Sequence, residues 1–250
     1  MRTHWREYAA EAAALGLFMV AATAGTVALE HPASPLRAAL PDAFTRRVLM
    51  GLAMGATAAA LIYSPLGARS GAHMNPAVTL AFLWLGRIGG RDAAGYIAAQ
   101  CVGGLAGTAL GVVLFAPWAA APEVNYVRTL PGPGGVWPAV AGELAISFLT
   151  LSIVLAVSAR PTLMRATGLV AGLLVMANIA FEAPLSGMSM NPARTLGPAL
   201  VAGDLSFLWI YLSAPPIGMW LAAALHHRLG VFGCAKLNHS PRVRCIFCEA

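Results

Sequence analysis

The chain has 250 residues, 58% of them hydrophobic and 10% charged, with a mean hydropathy of +0.71. Soluble domains carry roughly a quarter of their residues as charges, so this composition excludes a soluble enzyme or binding module and indicates an integral membrane protein in a lipid bilayer. The formal charge of +6 would suit a nucleic-acid partner, but there is no basic helix and no interleaving of aromatic and basic residues, and Arg and Lys beside apolar spans account for the excess.

The first apolar span runs from about Tyr8 to Leu29, after Arg2 and Arg6. It is too long for the apolar core of a signal peptide, and Glu11 sits inside it. A second span covers about Val48 to Tyr63, and a third about Ala93 to Phe115, where Gly103, Gly104, Gly107 and Gly111 suit close helix approach. A polar, proline-containing connection from about Ala119 to Gly135 separates two halves, near 8–118 and 138–229. The second half carries spans at about Pro138 to Val157, Thr167 to Ala180 and Leu208 to His226. Residues 1–229 thus read as one membrane domain and 230–250 as a tail.

One short sequence occurs in each half. Ser70-Gly71-Ala72-His73-Met74-Asn75-Pro76-Ala77 is matched, 116 residues on, by Ser186-Gly187-Met188-Ser189-Met190-Asn191-Pro192-Ala193. Asn is a good helix N-cap and Pro suits the first helical position, so each Asn-Pro starts a helix, over about Ala77 to Leu85 and Ala193 to Val201. Both are too short to cross a bilayer, which takes about 20 apolar residues. Broken half-helices in an inverted repeat belong to membrane proteins that pass solutes. The expected fold is therefore all-α, with six transmembrane helices and two re-entrant half-helices. Non-helical backbone at membrane depth must be buried or line a wet cavity, so 68–74 and 186–190 should face a pore.

These twin Asn-Pro-Ala boxes, Asn75-Pro76-Ala77 and Asn191-Pro192-Ala193, the second followed by Arg194, resemble those of the aquaporin and glycerol-channel (major intrinsic protein) family; the resemblance runs from about Glu11 to His227. It implies a passive channel for water and small uncharged solutes, with no cofactor, assembled as a homotetramer with one pore per subunit. It also implies a constriction formed by Arg194 and, counting back without gaps, Gly55, Ile179 and Met188. A one-residue gap would replace Gly55, and a Gly there also suits helix packing. Water-selective relatives have an aromatic residue and a His where this chain has Gly55 and Ile179, which implies a wider and more apolar hole, partly refilled by Met188. Thr195 stands where glycerol-selective relatives usually have Asp, and Tyr211-Leu212 resembles the plant nodulin-type and related bacterial channels, which pass glycerol-sized solutes and neutral metalloid hydroxides. Glu11 and Glu143 are implied to brace the re-entrant loops, with His73 a structural loop residue and Gln100 fitting the third span.

The competing reading of Glu11 and Glu143 is proton coupling, which would make the protein a secondary transporter. A membrane oxidoreductase would need a cofactor motif, and the spans carry none. Eleven Arg and Lys (2, 6, 69, 87, 91, 160, 165, 228, 236, 242 and 244) fall on the side of the termini and four (37, 46, 47 and 128) on the other. Both termini are therefore expected to be cytoplasmic, in a bacterial inner membrane. The tail holds Cys234, His239, Cys245 and Cys248, a set that could take zinc, form a redox pair, or be incidental. The family resemblance does not reach it.

Overall fold

The computed structural model describes residues 4–231, 234–239 and 247. Among them the regular structure is helical: α1 (Trp5–Glu30), α2 (Pro35–Ala39), α3 (Ala43–Tyr63), α4 (Pro65–Ser70), α5 (Pro76–Trp84), α6 (Gly90–Leu114), α7 (Val136–Ser158), α8 (Thr167–Phe181), α9 (Ala183–Ser186), α10 (Pro192–Ala202) and α11 (Leu208–Arg228). Six described helices are long and apolar enough to cross a membrane: α1, α3, α6, α7, α11 and the run Met164–Phe181 that contains α8. The half-helices are α5 and α10, each begun by its Asn-Pro. Asn75 and Asn191 have extended backbone, and their side chains accept hydrogen bonds from the first free amides, Ala77 in one case and Ala193 and Arg194 in the other.

The re-entrant stretches are less irregular than the composition suggests. A single turn, α4 or α9, opens each one and ends on a left-handed glycine, Gly71 at φ 82° and Gly187 at φ 77°. Left-handed backbone then continues at Ala72 and Met74 and at Met188 and Met190, positions related by the same offset of 116. Left-handed backbone is costly away from glycine, so something must hold these loops in place.

The polar groups are inside and the apolar ones outside. Glu11, Thr79, Gln100, Glu143 and Thr195 are buried, while Val102, Val113, Trp137 and Phe181 are 63 to 76% exposed on the outer surface. Hydrocarbon solvates the latter and could not solvate the former. The spans pack through small residues. A Cβ on Gly103 or Gly107 of α6 would fall 2.2 or 2.3 Å from the carbonyl oxygens of Ala12 or Gly16 on α1. Contact this close between backbones is the packing that small residues permit in a bilayer.

Both ends of the long-helix bundle are tied. On the face that carries the start of α1 and the end of α11, His4 and Tyr8 bond Asp92, and Trp84 packs edge-on against His227. On the distal face Arg46 pairs with Glu30 at 3.1 Å, and Arg128 with Asp204 at 2.7 Å. The Ser206 hydroxyl and amide hold Asp204 below the usual carboxylate range, which keeps it anionic opposite Arg128.

Candidate functional site

The two re-entrant loops are held by one carboxylate each. Glu11 accepts from the amides of His73 (3.0 Å) and Met74, and Gln100 donates to the same carboxylate at 2.7 Å. Glu143 accepts from the amides of Ser189 (2.7 Å) and Met190 (2.8 Å) and from the Ser186 hydroxyl (2.8 Å). The symmetry extends outward: Tyr96 and Tyr211 each donate at 2.6 Å to the carbonyl of the loop serine, Ser70 and Ser186. His73 sits inside this frame, its Nδ1 3.0 Å from the Thr79 hydroxyl.

The half-helices meet through their caps. Asn75 Nδ2 donates to the Met190 carbonyl and Asn191 Nδ2 to the Met74 carbonyl, both at 2.7 Å, so each loop is pinned by the other half's asparagine. A carboxamide nitrogen carries two hydrogens, which leaves each Asn one donor for the space between them. That space is a cavity of about 580 Å³, and both asparagines line it. It runs from Glu30, Arg47 and Glu123 on the distal face, past Arg194, Met188 and Ile179, to Val154, Ala171, Met219 and Leu237 at the other end.

On the distal side of the asparagines, Arg194 donates to the Thr129 hydroxyl, and its amide bonds Asn191 Oδ1 at 3.2 Å. Thr129 follows three consecutive left-handed residues, Asn125, Tyr126 and Val127, with φ of 45 to 59°. This turn in the central connection brings Val127 into one apolar cluster with Met54 and Ile179. Nothing in the irregular 119–135 stretch marks Thr129 or Val127 in advance; they come to the site through that turn.

Gly55 packs between helices. It lies on the α8 side of α3, where a Cβ would sit 2.5 Å from the Gly172 carbonyl oxygen, and it does not line the cavity; Met54 beside it does, with Met50 one turn earlier. The reason is backbone geometry. Along α3 the side chains turn about 100° per residue, so Met50 and Met54, one turn apart, share the cavity face while Gly55 points to α8. Gly55→Ala is therefore expected to destabilise by about 1–3 kcal/mol through forced separation of α3 and α8, with solute selectivity per folded molecule unchanged, whereas Met54→Trp should narrow the hole. Thermal unfolding together with flux measurement separates the two effects.

Pro76, Ala77, Pro192 and Ala193 are buried at the first turns of the half-helices. Of the tail residues, Cys234 is half-buried, with its thiol 3.9 Å from the Phe247 carbonyl, and His239 is buried, whereas Cys245 and Cys248 lie outside the described residues. Among the described residues no group of three or more His, Cys, Asp or Glu side chains could hold a metal ion.

The family model for the major intrinsic proteins matches residues 1–226, and the chain belongs to that family. It is similar to aquaporin NIP1-3 of Oryza sativa subsp. japonica, 40% identical over 63% of this chain and 54% of that protein, and to aquaporin NIP3-1 of Arabidopsis thaliana, 36% identical over 78% and 60%. The chain spans about half to three-fifths of the length of these relatives. The crystal structure of the aquaglyceroporin from Plasmodium falciparum has the same fold, with a TM-score of 0.69 over 91% of this chain and 97% of that one at 20% identity.

Proposed function

We propose that this protein is a passive transmembrane channel for water and small uncharged solutes of about glycerol size, with neutral metalloid hydroxides as further candidates. The observation that carries the reading is the continuous cavity lined by both Asn75 and Asn191, with Arg194 in its wall. Carbonyls of the re-entrant loops supply acceptors and the two carboxamides supply donors, so a neutral hydroxyl compound can exchange one partner for the next. The N-terminal ends of α5 and α10 both point their partial positive charge at the asparagines, and Arg194 adds a full charge. Cations are repelled at both places. Exclusion of protons and cations by an Arg and by half-helix dipoles is the general rule for aquaporin-type pores, and these residues supply both parts of it. Met54, Val127, Ile179 and Met188 give the cavity beside Arg194 an apolar wall that suits a carbon skeleton.

Proton coupling by Glu11 and Glu143 fits less well. Each carboxylate accepts two loop amides and a third side-chain donor, Gln100 on Glu11 and Ser186 on Glu143, and neither lines the cavity. The conduction path calls for no cofactor. Residues 1–229 form the channel body; the face bearing the start of α1 and the end of α11 is assigned to the cytoplasm from the Arg and Lys asymmetry, in a bacterial inner membrane, and a homotetramer follows the family.

Stopped-flow light scattering on proteoliposomes tests the reading. Water efflux and glycerol re-swelling should both exceed those of empty vesicles and be indifferent to an imposed pH gradient. Glycerol entry that requires the gradient would return Glu11 and Glu143 to a coupling role.

A further inference from the structure

We infer that the C-terminal segment 234–239, together with Phe247, is a tethered plug that closes the cytoplasmic mouth of the cavity. The inference rests on the channel reading above and adds a closed state to it.

The contacts are with the pore-forming loop itself. The amide of Leu237 donates to the Gly71 carbonyl at 2.8 Å, and Asn238 Nδ2 donates to the Ile62 carbonyl at 2.9 Å. His73 Nε2 donates to the Ala235 carbonyl at 2.9 Å, while its Nδ1 stands 3.0 Å from the Thr79 hydroxyl. Phe247 stacks on the His73 ring, with centroids 5.1 Å apart and planes 14° from parallel, and meets Tyr96 edge-on at 6.1 Å. Gly71 makes room for this: a Cβ there would fall 2.7 Å from the Phe247 ring and 3.0 Å from Lys236 Cβ.

Burial shows that the segment is seated rather than resting on the surface. All of Ala235–His239 is buried, and Ala235 and Leu237 share an apolar cluster with Ile62, Val154, Ala171 and Met219. Leu237 also lines the cavity at the end where Val154 and Ala171 are the deepest residues of α7 and α8 to do so. An apolar side chain therefore stands where a solute would leave. The Gly71 carbonyl, the kind of acceptor that a hydroxyl solute would use on its way out, is taken by a tail amide.

The other half of the repeat shows what an unplugged mouth is like. Gly187, the counterpart of Gly71, packs against Thr129 and Leu130 of the central connection, yet the cavity continues past them to Glu30, Arg47 and Glu123. The two mouths are built from matched loops, and among the described residues only the terminal one ends on a tail side chain.

A protease site placed between Gly230 and Val231 of the full chain allows the test on molecules that have already folded. Water and glycerol flux are measured in proteoliposomes before and after cleavage, beside a full-length Leu237→Asp/Phe247→Ala variant with its monodispersity checked. A rise of about ten-fold on cleavage or in the variant is expected if the seat is filled about nine-tenths of the time. High flux that changes in neither case overturns the plug and leaves the channel reading standing. Flux no greater than that of empty vesicles in every form overturns both.

Discussion

Glu143→Leu is expected to lower the yield of folded, monodisperse protein by more than ten-fold. The substitution leaves the amides of Ser189 and Met190 and the hydroxyl of Ser186 without their acceptor, in a loop where no lipid group can replace it. Each buried group left unpaired costs about 1–3 kcal/mol, and the left-handed backbone at Met188 and Met190 would lose its brace at the same time. Glu143→Gln keeps an acceptor oxygen and should fold far better, with solute flux per folded molecule close to that of the parent. A coupling carboxylate would behave in the opposite way: Gln would abolish gradient-driven uptake in protein that folds normally. Size-exclusion yield, the unfolding temperature and flux per molecule, taken together, separate brace from coupler. A Leu variant as stable as the parent would refute the brace.

Arg194→Val is expected to raise cation leak by ten-fold or more while water flux persists. A unit charge about 5 Å from a passing cation, at an effective dielectric constant near 20, contributes about 3 kcal/mol to the barrier. A change of about 1.4 kcal/mol is a factor of ten. The two half-helix ends remain, so the leak should stay well below that of an open pore. Thr129→Ala should have a milder effect, since it removes only the partner that orients the guanidinium. Ion flux into vesicles under a clamped potential gives the reading. An unchanged leak in Arg194→Val at normal folding yield would move the ion barrier entirely to the asparagines.

Some of this architecture is legible in the sequence because local chemistry dictates it. Asn-Pro at both boxes fixes a helix start wherever it occurs, and both boxes do cap helices through the expected side-chain oxygen. Six apolar runs of spanning length likewise leave few alternatives, and the observed helices differ from the expected spans mainly at their ends; α3, for example, begins at Ala43 because Asp42 caps it through the Thr45 amide at 2.6 Å. Residues whose placement depends on irregular backbone are not legible. Ungapped counting cannot settle which of two adjacent residues on α3 faces inward: Met54 lines the cavity, while Gly55 packs on Gly172. Thr129 and Val127 reach the site through three left-handed residues that no periodicity announces. The exchange of carboxamide donors between the halves cannot be read either, since it needs both loops in space.

The tail illustrates the same limit. Its cysteines and histidine read as possible metal ligands, while the contacts that seat it come from Leu237, Asn238, the Ala235 carbonyl and Phe247. A segment with no helical period carries its information in shape complementarity to the mouth that it meets.

Solutes are expected to cross through the cavity between Asn75 and Asn191. Val78 lines that cavity on α5, so Val78→Cys in a chain whose four native cysteines are replaced by Ser provides a single thiol in the path. The measurement is water and glycerol flux in proteoliposomes of the plug-released form, before and after reaction with a bulky thiol reagent that a reductant can remove. Stoichiometric labelling is expected to abolish both fluxes, and the reductant to restore them. Undiminished flux through fully labelled protein would contradict this.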